Sequence, residues 1–180
     1  LINLIPQIQN GLQQEIAAPT NFEVPDFFMF DIQPEQLEEL EGLLAERGYS
    51  LSFLSPQVRA RLDAINEVVI DEVEETPDEQ MLQRRMYNLT YQDELKNSEE
   101  LVQGTVWEGP WDFSSPELPG ISIEESFAER MGLKIGDTLS FDVQSVPVTG
   151  RVINTRKVDW NSFQPNYFVS FQPGVLDPAP

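Results

Sequence analysis

The apolar residues of this chain come in short runs cut by 14 prolines and 10 glycines, and that punctuation limits what it can fold into. No apolar run approaches the roughly 18 residues of a membrane-spanning helix, so the sequence offers no span. Two or three helices and about seven short strands fit instead, which makes the fold class α+β. The clearest helix begins at Pro34, in the favoured first position, with Glu35, Glu38 and Glu39 in the early turns where the helix dipole welcomes negative charge. Leu37, Leu40, Leu43 and Leu44 form its apolar face, Arg47 lies in its last turn and Gly48 stops it. A second helix has Ser122 and Glu125 as a capping box ahead of Phe127, Ala128 and Met131, and Gly132 closes it.

Strands are expected at Phe27 to Ile32 (FFMFDI, buried on both faces) and as two segments within Tyr49 to Ile65, joined by a bend at Pro56. Together with the first helix these give a strand-helix-strand opening. Further strands are expected at Met86 to Tyr91, at Thr138 to Val143 with Leu139, Phe141 and Val143 on one face, at Val146 to Val158 past a Ser145–Pro147 turn, and at Asn166 to Phe171. Residues 17–26 read as a linker with Pro19 and Pro25. Asp93 to Gly104 is polar with a brief helix, Leu133 to Asp137 is a turn, and 107–120 is an irregular loop rich in Trp, Pro and Gly. No internal repeat is evident.

Composition narrows the chemistry. The 180 residues hold 31 Asp and Glu against 11 Lys and Arg, a net charge of -20, with 40% hydrophobic and 10% aromatic residues. That apolar content argues against intrinsic disorder. The charge repels phosphate backbones and anionic lipid, so nucleic acid is not an expected partner. With no His there is no self-contained Ser-His-Asp mechanism, and with no Cys there is no thiolate, disulfide or Cys/His zinc site. Cofactors and metals are expected to be none. Carboxylates remain, for acid–base work or calcium.

The ends read as those of a piece of a longer protein. The chain starts at Leu1 without a signal peptide pattern and exits through Pro173, Pro178 and Pro180. Leu1, Ile5, Ile8, Leu12 and Ile16 recur at helical spacing, with Pro6 at a first turn or a kink. Two readings fit this stripe: a terminal helix docked on the domain, or the outer end of a longer helix.

Each candidate site has a plainer alternative. Asp31, Asp63 and Asp142 lie in strand patterns; two of them across a cleft would suit a glycosidase, while pairing with Arg59, Arg61 or Arg151 explains them more simply. The acidic stretch 66–80 lacks the spacing and turn glycine of an EF-hand and reads as a solvated loop. Asn88-Leu89-Thr90 matches a glycosylation sequon, a short pattern common by chance. Gly132 and Gly136 follow a helix instead of preceding one, so they make no phosphate loop. Trp107, Trp111 and Trp160 could line a pocket or plug the ends of a small core.

The runs YNLTYQDELKNSEELVQGTVW, SIEESFAERMGLKIGDTLSFDV and VTGRVINTRKVDWNSFQPNYFVSFQPGVL, in that order, resemble the extracytoplasmic domain of bacterial ABC-transporter permeases of the MacB/FtsX/LolC-E superfamily. The nearest look is to large ten-span permeases with two such domains. NFEVPDFFMFDIQPEQLEELEGLLAERG and SPQVRARLDAIN fit the family's opening, so the resemblance covers most of 21–176. Its most specific part is Arg156-Lys157-Val158-Asp159-Trp160 with Gln164-Pro165-Asn166-Tyr167-Phe168, and Glu67 stands where the family pattern has Gly.

The resemblance implies a porter-like subdomain at 21–66 and 160–176, a mostly β, sabre-like insertion at 67–159, and a stalk or helix end at 1–20. It also implies a non-catalytic domain on the periplasmic or extracellular face of the bacterial inner membrane, coupling ATP-driven helix motion to a lipid, lipoprotein or envelope protein. A cytoplasmic ATPase subunit would be the partner of the parent permease. The residues expected to carry coupling or partner contact are Leu1, Ile5, Ile8, Leu12, Trp107 and Trp111, with the acidic stretch 67–79 and the loop 107–118 as contact surfaces. The alternative is an independent acidic module for cationic peptide or calcium, and a carboxylate hydrolase comes third.

Overall fold

The computed structural model describes residues 25–70 and 86–177. The chain divides into two compact units, Leu1–Leu54 with Asn161–Phe163 and Ser55–Trp160 with Gln164–Pro180.

In the first unit a 3-10 turn at Pro34–Gln36 leads into helix α1, Leu37–Glu46. The Gln33 N–H donates to Gln36 Oε1 at 3.0 Å, which satisfies one of the donors a helix start leaves open. At the far end Gly48 takes φ 79°, a left-handed conformation that costs glycine little, and its N–H donates to the Ala45 carbonyl at 3.0 Å. Arg47 adds a 3.2 Å bond to the Leu43 carbonyl. The start and stop read from the sequence therefore hold. The apolar face is narrower than expected, because Leu44 is buried while Leu43 is exposed.

The run Phe27 to Ile32 forms no strand, contrary to expectation, and it is exposed: Phe30 is 77% accessible and Phe28 45%. A strand needs a ladder partner, and none of the described pairings includes this run. Asp31 at φ 58° also breaks the extended path. The rings pack on their own unit instead, with Phe28 stacked on Phe30 at 6.4 Å and against Phe53 at 6.2 Å, and Phe27 edge-on to Tyr49 at 5.7 Å. Residues 49–57 form no strand either, so the expected strand-helix-strand opening reduces to a helix followed by a strand.

The second unit is a closed ring of strands with additions. Its elements are β1 (Val58–Ile65), β2 (Val68–Val69), β3 (Met86–Tyr91), β4 (Glu99–Gly104), β5 (Gly120–Glu124), helix α2 (Glu125–Met131), β6 (Thr138–Val143), β7 (Val146–Val158) and β8 (Val169–Phe171). The ring runs β1-β3-β8-β5-β7-β6 and returns to β1; the β3–β8 and β5–β7 pairs are parallel and the rest antiparallel. β2 and β4 lie outside the ring, on β1 and β7 respectively. Register places Ala60, Leu62, Leu89, Ile121, Ile123, Phe141, Val169 and Phe171 inside, where all are buried. Gly150 is there for space: a Cβ would lie 2.7 Å from Ile121 Cγ1 and 3.0 Å from Phe171 Cε1. The Tyr87 and Phe127 rings meet edge-on at 5.5 Å, which anchors α2 to the ring.

The strands expected at Met86 to Tyr91, Thr138 to Val143 and Val146 to Val158 form with those bounds, and Leu139, Phe141 and Val143 are buried together. Four details differ. Asp93 to Gly104 is not helical but ends in β4, because Glu99 to Gly104 finds a ladder on β7. The cap of α2 is Glu124, whose carboxylate accepts from the Ser126 and Phe127 N–H groups at 3.1 and 2.7 Å; Ser122 is two residues too early and lies in β5. The β6–β7 turn is Gln144-Ser145, both at positive φ, and not Ser145–Pro147. The last strand shortens to Val169–Phe171.

At the β1–β2 turn Glu67 stands at φ 67° beside Asn66 at φ 50°. The turn forms without glycine because Asn66 is tied twice. Its side-chain oxygen accepts from the Thr138 N–H and its amide donates to Asp137 Oδ1, each at 2.9 Å.

Candidate functional site

The outer face of the ring carries a buried polar row. Thr90 pairs with Ser170, Ser170 with Ser122, and Ser122 with Asn154, so the four side chains stand across β3, β8, β5 and β7 on one face. Residues paired directly across a ladder share a face, and their apolar neighbours point into the ring. A bulge brings Asn154 there. Ile121 pairs with Val152 but Ser122 pairs with Asn154, so the extra residue Ile153 re-aims β7, and Asn154 and Arg156 emerge outside while Val152 stays inside.

Arg156 is wholly buried on this face. Its Nε donates to Glu99 Oε1 at 2.9 Å, Nη1 to the Ser122 carbonyl at 2.7 Å and to Ser122 Oγ at 3.1 Å, and Nη2 to the Tyr167 carbonyl at 2.7 Å. β4 delivers Glu99, whose second oxygen accepts from Gln92 Nε2 at 2.7 Å and the Lys96 N–H at 3.1 Å. Lys96 in turn donates to the Pro165 carbonyl at 2.8 Å and lies 5.0 Å from the centre of the Tyr167 ring. Ser122 Oγ donates to Asn154 Oδ1, and Asn154 Nδ2 donates to the Thr105 carbonyl at 2.9 Å.

The electrostatics follow from this wiring. Burial pushes the Glu99 carboxyl up, but the Arg156 charge and the hydrogen bonds from Gln92, Lys96 and Arg156 outweigh it and hold the group below its ordinary value. Burial pulls the Arg156 guanidinium and the Lys96 ammonium down, with Glu99 opposing in both cases. Burial raises the Tyr167 phenol. The arrangement is a clamp: a permanently charged guanidinium and an ionised carboxylate whose two oxygens are both engaged tie together β4, β5, β7 and the segment before β8. Neither group is placed to exchange protons with a substrate.

The expected contact residues fall in different places. Leu1, Ile5, Ile8 and Leu12 lie outside the described residues, as does 71–79 of the acidic stretch. Trp107 is turned inward, and its indole N–H donates to the Gln92 and Asp93 carbonyls, each at 3.1 Å. Trp111 packs on Phe113 at 4.5 Å and donates to the Glu117 carbonyl at 3.2 Å, while Phe113 is 67% accessible. Trp160 packs on Phe168 at 5.0 Å, so each Trp has its own partner.

Among the carboxylates, Asp63 lies 3.1 Å and Asp142 3.6 Å from Arg61 Nη2, and Asp31 is exposed. In the sequon, Thr90 is buried and donates to the Pro56 carbonyl at 2.7 Å. No group of three or more Asp or Glu able to hold a metal ion occurs among the described residues. The Glu99–Arg156 clamp was not among the sequence candidates. The signal for it was an arginine in the buried phase of a strand, which demands a carboxylate from elsewhere in the chain.

No family model matches the chain, and no solved structure matches it. Over 158 residues, 88% of its length, it is 34% identical to the uncharacterized ABC transporter permease YbbP of Escherichia coli (strain K12). It spans 18% of that protein's length. This chain is thus similar to one segment of an ABC transporter permease.

Proposed function

We propose that the chain is an extracytoplasmic domain of an ABC transporter permease of the MacB/FtsX/LolC-E superfamily, and that it couples ATP-driven helix motion to contact with a lipid, lipoprotein or envelope protein. The observation that carries this is the 34% identity to a permease over 88% of the chain. One feature agrees with it. The stretch that most resembles the superfamily, 156–160 with 164–168, supplies Arg156 and the Tyr167 carbonyl to the clamp.

On this reading the fold is α+β, with a porter-like part at 21–66 and 160–176 and a sabre-like insertion at 67–159. That family division differs from the two compact units, which part at Leu54 and Ser55. A cytoplasmic ATPase binds the parent permease, and ATP binding shifts the orientation of this domain between two populations. The clamp suits a domain that must move as one piece, because it crosslinks strands far apart in sequence.

The placement is tested by labelling. The chain has no cysteine, so Ser115→Cys in a cysteine-free parent gives one reactive thiol within this segment. A membrane-impermeant maleimide should label it with the cytoplasmic membrane intact. Labelling only after that membrane is permeabilised contradicts the proposal.

A further inference from the structure

The first unit exposes a set of rings that a stable domain has no reason to leave in water. Phe27, Phe28 and Phe30 are 48%, 45% and 77% accessible, and Tyr49 and Leu54 are 49% and 60% accessible. Single exposed apolar residues are ordinary, but here two ring groups, Phe28 with Phe30 and Phe53 at 6.4 and 6.2 Å and Phe27 with Tyr49 at 5.7 Å, start from adjacent residues and leave Phe27, Phe28 and Phe30 accessible as an aromatic patch. Aromatic side chains offer large contact area at low entropic cost, the composition of binding hot spots.

The patch sits in a strongly acidic setting. Asp26 and Asp31 bracket the phenylalanine run, and residues 25–54 hold seven acidic side chains (Asp26, Asp31, Glu35, Glu38, Glu39, Glu41, Glu46) against Arg47 alone. Asp26 and Asp31 are each one residue from a patch ring, about 3.8 Å between successive Cα atoms, well inside a Debye length. Such a surface disfavours anionic lipid and any acidic partner, and it favours an apolar segment that brings its own cations.

We propose that the aromatic surface at Phe27, Phe28 and Phe30 is a docking site for a protein segment whose apolar side chains are flanked by lysine or arginine. This rests on the reading above only in giving the domain a partner. Binding is measured on the chain alone, so its failure leaves the permease reading intact.

The test titrates the 180-residue chain into a fluorescent amphipathic peptide of leucine and lysine, with a leucine–glutamate peptide and zwitterionic phosphatidylcholine vesicles as comparisons. The lysine peptide should bind and the other two should not. Phe28→Ser with Phe30→Ser should weaken binding about thirtyfold or more, and raising salt from about 50 to about 300 mM should weaken it several-fold. Both rings are exposed, so the variant should keep its circular dichroism. The proposal is overturned by equal binding of the two peptides, by vesicle binding that matches the lysine peptide, or by unchanged affinity in the double variant. A dimer of the free chain that the double variant dissolves would assign the patch to a second copy. Protection of Phe28 and Phe30 from radical labelling in the free monomer would assign it to the chain's own residues. Either result also overturns the proposal.

Discussion

Two regions of this molecule break the rule of apolar inside and polar outside, in opposite directions. The second unit buries a charged pair, Arg156 and Glu99, with an outer row of Ser122, Asn154, Ser170 and Thr90. The first unit leaves Phe27, Phe28 and Phe30 in water. In the buried region almost every polar group has a partner, with the Ser170 hydroxyl as an exception among the described residues. The exposed region departs in the opposite sense, since the described residues leave its apolar area accessible. The first departure gives specificity to a scaffold, and the second provides an attachment surface.

The comparison predicts where substitutions hurt. Glu99→Ala strands a buried guanidinium and should lower unfolding free energy by about 3–5 kcal/mol in a denaturant titration. Replacing both partners, Glu99→Leu with Arg156→Met, should recover much of that loss; a double variant as unstable as the single one would show that the pair does more than satisfy itself. Acid sharpens the same point. Glu99 has its folded pKa below the ordinary 4.5, so its contribution is complete above that value and lost as pH falls through the lower folded value. The stability difference between wild type and Glu99→Gln should therefore shrink on acidification, and subtraction removes the relief of charge repulsion that both proteins share.

Smaller effects follow. Ser122→Ala removes the hydroxyl between Asn154 and Arg156 and should cost about 1–3 kcal/mol by the same titration. Glu67→Gly relieves a left-handed residue at the β1–β2 turn and should stabilise by about 1 kcal/mol, visible as a raised melting temperature. Phe30→Ser should change stability by no more than about 0.5 kcal/mol, because the ring is already in solvent. A large loss there would mean that the ring supports the fold, and the contrast between the regions would fail.

Legibility divides along physical lines. The stop of α1 at Gly48, the strands Met86–Tyr91 and Thr138–Val143, and the full length of β7 were readable because caps and alternation are local signals. β4 was not: Glu99 to Gly104 lacks alternation, and only its ladder with β7 makes it a strand. The aromatic run 27–32 misled because hydrophobicity reports what burial would gain, not whether a partner strand exists. The clamp was hidden twice over. Glu99 and Arg156 lie 57 positions apart, and the bulge at Ile153 turns one apparent face of β7 into two. The start of α2 was also misassigned, since Glu124 caps it where Ser122 and Glu125 were expected to.

The central claim, that this domain belongs to an ATP-driven permease and holds its envelope contact, is tested most directly by purifying the longer protein from membranes with and without residues 21–176 and identifying what comes with it by mass spectrometry. The account predicts that an ATPase subunit accompanies both forms, while enrichment of an envelope protein or lipid is lost with the domain. A soluble parent that brings no ATPase, or an unchanged set of partners after the deletion, would contradict it.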